Sequence, residues 1–267
     1  MSPSFLFYLP IWVVALGIFI ILIIFDWLGY HYRKMHMRKH PDEVDSLGPM
    51  EGSLLGLMAL LLAFSFSMAA SKYENRRLII IDEANYTRTA INISYLYPDS
   101  IRNTFLAEFR EYVEARIGYN NAANDTNLIQ SCLGKTRMYS TRLLKIAIQQ
   151  AQNPENNFRT AQMLPALNHM ADITTAREES RKAKTPPLIL GMLLLLTFSA
   201  AFLVGYGSKA KKRNFVMRIS FALMTTLTLY VIMEMDWPRR GLINLDEAAK
   251  NITELRDQLR ENKLGTH

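Results

Sequence analysis

Four long apolar blocks, at residues 5–27, 52–70, 188–206 and 215–233, are separated by stretches crowded with charge. Each block is roughly 19 to 23 residues long, the length an α-helix needs to cross a hydrocarbon core, and none carries a charge in its central turns. Backbone amides have no water to bond to in hydrocarbon, so each block is predicted to be helical. The predicted spans are residues 5–30, 51–71, 187–207 and 215–235. Tyr8, Trp12, Trp27, Tyr30, Tyr206 and Trp237 stand near their ends, where amphipathic rings prefer the interface.

The pattern between the second and third spans has helical period, and residues 72–186 are predicted to form a water-facing helical domain. Neither glycine nor proline occurs between Gly56 and Pro98, so the second span is expected to run on as one helix of about 40 residues. Ile81, Ala84, Arg88, Ile91 and Tyr95 mark its predicted packing face. A turn at Pro98 and Asp99, with Ser100 as cap, leads to a helix striped by Ile101, Phe105, Phe109, Tyr112 and Arg116. A third helix carries Ile129, Cys132, Thr136, Tyr139, Leu143, Ile146 and Gln150. A fourth begins near Phe158, is expected to kink at Pro165, and feeds the third span through Pro186 and Pro187.

Residues 236–267 predict a C-terminal amphipathic helix, opened by a capping box of Asn244 and Glu247 and striped by Leu245, Ala248, Ile252, Leu255 and Leu259. Two readings of that stripe are open: it docks on the central bundle, or it zips against the same helix of another subunit. The fold class read from these patterns is an all-α membrane protein. It has four transmembrane helices, with a helical bundle inserted between the second and third.

The net charge of +7 changes the picture only through its placement. Arg33, Lys34, Arg38 and Lys39 fall in a predicted basic loop at residues 31–50, and Lys209, Lys211, Lys212 and Arg213 fill another at 208–214. Short basic loops face the cytoplasm and anionic lipid, so the lipid bilayer is the partner they imply, and no nucleic acid is expected. This places both termini and the central domain on the extracytoplasmic side. Lys72, Arg76, Arg77, Arg181, Lys182 and Lys184 make the other face basic too, which leaves the opposite orientation open. The first block lacks the basic start and small-residue cleavage pattern of a signal peptide. A single cysteine, Cys132, excludes an intramolecular disulfide.

Candidate chemistry is sparse. Gly52, Gly56, Ala59, Ala63, Ser67 and Ala70 form a stripe of small residues on the second span that lets another helix approach, with Ser67 a candidate pore-facing hydroxyl. Glu51, at the positive end of that helix, reads first as a cap and second as part of an acidic ring at a pore mouth. Lys72, Glu74, Arg76 and Arg77 crowd the point where the span meets water, either as salt bridges and snorkelling cations or as an anion-attracting vestibule. Glu74, Glu83, Asn85, Asn168, Asp172 and Asp236 are candidates for a polar network, with Asn168, Asp172 and Thr175 sharing one helical face inside the bundle. His31, His36 and His40 lack a carboxylate cage, so no metal site is expected. No nucleotide-binding glycine loop and no paired nucleophile and base occur. Neither enzymatic activity nor a cofactor is therefore expected.

The run GLMALLLAFSFSMAASKYENRRLIIIDEAN, from Gly56 to Asn85, resembles the corresponding stretch of the bestrophin-like family of bacterial membrane proteins. LPALNHMADITTARE, from Leu164 to Glu178, is similar to the pattern ahead of that family's third span. Asp236, Pro238 and Gly241 are similar to the aspartate, proline and glycine just beyond its fourth. The resemblance implies a bacterial inner membrane, a multi-pass protein and a homo-oligomer. Through a remote similarity to bestrophins, pentameric anion channels whose second span lines the pore, it also implies an ion channel built around that span. Bestrophins place the inserted domain in the cytoplasm, opposite to the charge-based orientation, and this sequence lacks the aromatic constriction and acidic calcium clasp of the animal channels. The alternative reading is a non-conducting scaffold or sensor that binds a protein partner through the helical domain.

Overall fold

A computed structural model describes residues 10–39, 48–122, 125–183, 185–207, 215–236 and 245–264. Among them there is no strand. The α-helices are α1 (Ile11–Lys39), α2 (Gly48–Ser94), α3 (Asp99–Asn121), α4 (Thr126–Gln150), α5 (Asn157–Lys182), α6 (Pro187–Gly207), α7 (Phe215–Asp236) and α8 (Asp246–Leu264), with one 3-10 turn at Pro154–Asn156 before α5. Four of them are long and apolar enough to cross a membrane: α1, α2, the helix ending at Gly207, and α7. The chain divides into two compact units.

The first unit comprises residues 1–73 and 184–243. In it α1 packs on α6 and α7, around Leu22, Met58, Leu62, Leu193, Ala200, Ala222 and Leu229. Small residues set the closest approach. A Cβ on Gly29 would overlap the carbonyl of Phe202, and one on Gly205 would overlap the carbonyl of Asp26, so α1 and α6 touch through bare backbone. Trp12, Leu16, Ile24, Phe64, Leu195 and Met224 point outward. Exposed apolar side chains of this size in a row suit a hydrocarbon solvent rather than water.

The predicted loop at residues 31–50 is helical over its first part, since α1 continues to Lys39. No glycine or proline lies between Gly29 and Pro41 to stop it. Trp27 stacks on His31 with ring centroids 5.2 Å apart, and Arg33 donates to the Tyr206 carbonyl at 2.7 Å. The second predicted basic loop, at 208–214, lies outside the described residues, as do Asn244 and the N-terminal aromatic Tyr8.

The second unit comprises residues 74–183 and 244–267. Here α3 packs on α4 and α8, and α4 on α5. Phe105, Phe109, Tyr112, Leu143, Met163 and Met170 fill the core. The Tyr97 hydroxyl meets that of Thr160 at 3.0 Å. Asp125 caps α4 by accepting from the amides of Asn127 and Leu128 at 2.9 and 3.1 Å. Ala248, Ile252, Leu255 and Leu259 of α8 are buried within the same unit, and Arg110 Nε donates to the Leu259 carbonyl at 3.3 Å. Of the two readings of that stripe, docking on the chain's own bundle is the one the packing realises.

Two local expectations are corrected. Ser100 does not cap α3: the helix begins at Asp99 with Pro98 before it and no side-chain cap, because the proline ring already fixes the entry dihedral. The buried face of the second half of α2 is rotated from the predicted stripe. Ala84 and Ile91 belong to it, but Ile80, Glu83, Thr87, Ala90 and Ser94 replace Ile81, Arg88 and Tyr95. A carboxylate at the centre of that face is tolerable only because it is fully paired.

Candidate functional site

The first half of α2 has two faces of opposite character. Met58, Leu62, Ser65 and Ala69 are buried within the unit, whereas Gly52, Gly56, Ala59, Ala63 and Ser67 are exposed. A Cβ on Gly52 or Gly56 would meet nothing within 4 Å. Only 17% of the apolar window of α2 is buried, against 33% for α7. Thus α2 is the span least covered by its own chain, and its bare side carries the small-residue stripe together with Leu57, Leu60, Phe64 and Phe66. Glu51 belongs to α2, but its side chain lies outside the described residues.

At the end of this apolar stretch the charged residues split between the units. In the first, Lys72 Nζ donates to Thr185 Oγ1 at 3.0 Å and lies 3.6 Å from Asp236 Oδ1. Asp236 also accepts from the Thr185 amide at 3.2 Å and its hydroxyl at 2.7 Å. In the second, Arg76 is buried and donates to the carbonyls of Ser180 at 3.2 Å and Ala183 at 2.8 Å, closing the C-terminus of α5 as a cation should. Arg77 and Glu74 form an exposed pair at 3.0 Å, worth little in water.

The predicted polar network is only partly assembled. Asn85 is exposed and accepts from Arg88 Nη1 at 3.2 Å. Asn168, Asp172 and Thr175 share a face, but it is the exposed face of α5, because Met163, Ala166, Leu167, Met170 and Arg177 take the buried one. Glu83 instead finds two cations. Its Oε1 accepts from Arg116 Nε, and its Oε2 accepts from Arg177 Nη1 at 2.5 Å. Arg177 Nη2 then donates to Asn120 Oδ1 at 2.5 Å. Both guanidiniums stack against Tyr119, at 4.5 and 5.2 Å from its ring centroid. The Tyr119 hydroxyl donates to Glu178 Oε2 at 3.0 Å. Burial pushes the Glu83 carboxyl up, but Arg116 and Arg177 more than reverse this and hold it below its ordinary value.

Sequence reasoning placed Arg116 on a packing stripe without asking what neutralises it. The available signal was a guanidinium in register with Phe105, Phe109 and Tyr112, a core position that demands an anion. A second buried pair, Asp26 with Arg218, was missed because both charges sit in the outer turns of their spans.

These features define a multi-pass helical membrane protein. The bestrophin-like domain family matches residues 13–249, and the chain belongs to that family, as the runs at Gly56–Asn85 and Leu164–Glu178 led us to expect. The fold is similar to crystal structures of a bacterial bestrophin homologue from Klebsiella pneumoniae, each carrying a different single substitution. One has a TM-score of 0.69 at 10% identity, with 92% of this chain and 97% of that chain covered. A second has a TM-score of 0.66 at 12% identity, with 93% and 98% covered. Comparison with curated proteins gives no match.

Proposed function

We propose that this chain assembles with copies of itself in the bacterial inner membrane into an ion channel whose pore is bordered by α2, with anions among the conducted ions. The observation that carries the reading is the bare small-residue face of α2, at Gly52, Gly56, Ala59, Ala63 and Ser67. In lipid, helices associate through close packing and hydrogen bonding rather than through hydrophobicity. An uncovered row of small residues is therefore a surface for another helix or for a water-filled path. The family membership and the likeness to bestrophin homologue structures support the same reading. Of the cations that follow along α2, Lys72 and Arg76 turn inward to Asp236 and to the carbonyls of Ser180 and Ala183, and Arg77, paired with Glu74, continues the exposed side.

Planar-bilayer recording of the purified oligomer tests this directly. Currents above an empty-membrane control at both polarities are expected, with a reversal potential that moves when chloride is replaced by gluconate. Ser67→Cys should render the current sensitive to a charged thiol reagent. Folded oligomers that pass no current would sink the proposal. Orientation is addressed separately, by labelling Asn153→Cys with a membrane-impermeant maleimide in a Cys132→Ser background. Labelling in intact spheroplasts places the inserted helices outside, as the basic loops suggest, and protection until lysis places them in the cytoplasm.

A further inference from the structure

We propose that the second unit holds a buried site for a small monovalent anion of halide type at the free edge of Arg116. The inference rests on the charge and hydrogen-bond balance inside that unit and is independent of whether the protein conducts.

Glu83 gives one oxygen to each of two guanidiniums, Arg116 through Nε and Arg177 through Nη1. A carboxylate used in this bridging way cannot grip either arginine as a fork. Both Nη groups of Arg116 are consequently left over. They are sequestered from solvent, and no protein group among the described residues accepts from either. Arg116 is 1% exposed, and so is Glu83.

The charges do not cancel either. Glu83 supplies one negative charge against the two positive charges of Arg116 and Arg177. Glu178, linked to the cluster through Tyr119, is already engaged by Arg181 at 2.6 and 2.9 Å. One positive charge is therefore left over in the cluster, and Arg177, 9% exposed, spends Nη2 on the neutral Asn120 Oδ1, which does not cancel it. Arginine does not release its proton to escape burial, so the surplus stays inside the cluster, where both Nη groups of Arg116 are unbonded.

A single anionic acceptor at the Nη edge satisfies both deficits. One negative charge brings the cluster to neutrality, whereas a divalent anion would overshoot it and a water molecule would leave the charge uncancelled.

The test is a pair of measurements on the full-length protein in detergent. In the first, chloride or bromide replaces gluconate at constant ionic strength. A saturable rise of about 3 °C or more in the unfolding midpoint is expected, reduced to none in Arg116→Gln. In the second, crystals of the unaltered protein are grown in bromide, and an anomalous peak is expected within contact distance of Arg116 Nη1 and Nη2. This decides the matter even where Arg116→Gln fails to fold. An absent halide shift, a shift retained in Arg116→Gln, or an ordered water in place of the bromide peak would each overturn the proposal.

Discussion

Arg218 in α7 donates from Nε to Oδ1 of Asp26 in α1 at 2.7 Å and from Nη2 to the Asp26 carbonyl at 3.0 Å, with both residues buried in the membrane unit. The Tyr30 ring lies 5.8 Å from the guanidinium carbon. Two opposite charges in an apolar surround hold α1 and α7 in one register, because sliding either helix by a turn would strand both.

Removing one partner should therefore cost far more than removing both. Arg218→Leu is expected to lose about 3–5 kcal/mol through the stranded Asp26 carboxylate, seen as a lower unfolding midpoint in detergent. Asp26→Leu combined with Arg218→Leu should recover most of that loss. A double variant no better than the worse single one would mean the pair does not act as a unit.

Glycines that look alike in the sequence should behave in opposite ways. Gly29 and Gly205 face backbone carbonyls, so Gly205→Ala is expected to force α1 and α6 apart and to lower the yield of folded protein. Gly56 faces open space within the chain, so Gly56→Ala should leave protomer folding untouched. Its effect should appear in oligomer stability on native gels or in single-channel amplitude. A severe folding defect in Gly56→Ala would place that residue inside the protomer.

This contrast shows what the linear pattern holds and what it lacks. The spans and helical stripes of α3, α4 and α8 were legible because 3.6-residue periodicity and a charge-free stretch of membrane length are local properties. The small stripe on α2 was legible too, whereas the Gly29–Gly205 approach was not, since it joins two residues isolated in their own helices. The same holds for charge. Glu83 was singled out, yet its partners lie on α3 and α5, far along the chain. Asn168 and Asp172 share a face as read, but which face a helix buries depends on its neighbours, and Met163 and Met170 take that place.

Acid should weaken the second unit through Glu83. Its carboxyl sits below the ordinary carboxylate range when folded. At pH values below the unfolded glutamate pKa of about 4.3, the unfolded chain takes up a proton that the folded one still excludes. The stabilisation is thus complete above about 4.3 and is lost as pH falls from there through the folded value. Glu83→Gln should lower the midpoint at neutral pH, since it leaves Arg116 and Arg177 without their anion, and should flatten the acid limb. An acid limb as steep as that of the unaltered protein would assign it to other carboxylates.

The C-terminal helix offers a test that separates an internal brace from a docking surface. Ile252, Leu255 and Leu259 are each no more than 2% exposed and pack within the cluster that contains Phe105, Phe109 and Leu143. A carboxylate at Leu255 would enter that core without a partner, a loss of several kcal/mol. Leu255→Asp is therefore expected to expose α3 to proteolysis and to lower the unfolding midpoint of the isolated chain, with no second protein present. Arg260→Ala, which removes only an exposed pair with Glu114 at 3.3 Å, should change the midpoint by no more than about 1 kcal/mol in equivalent stability. If Leu255→Asp unfolded nothing and instead released a bound protein, α8 would be a partner-binding helix and its burial against α3 dispensable.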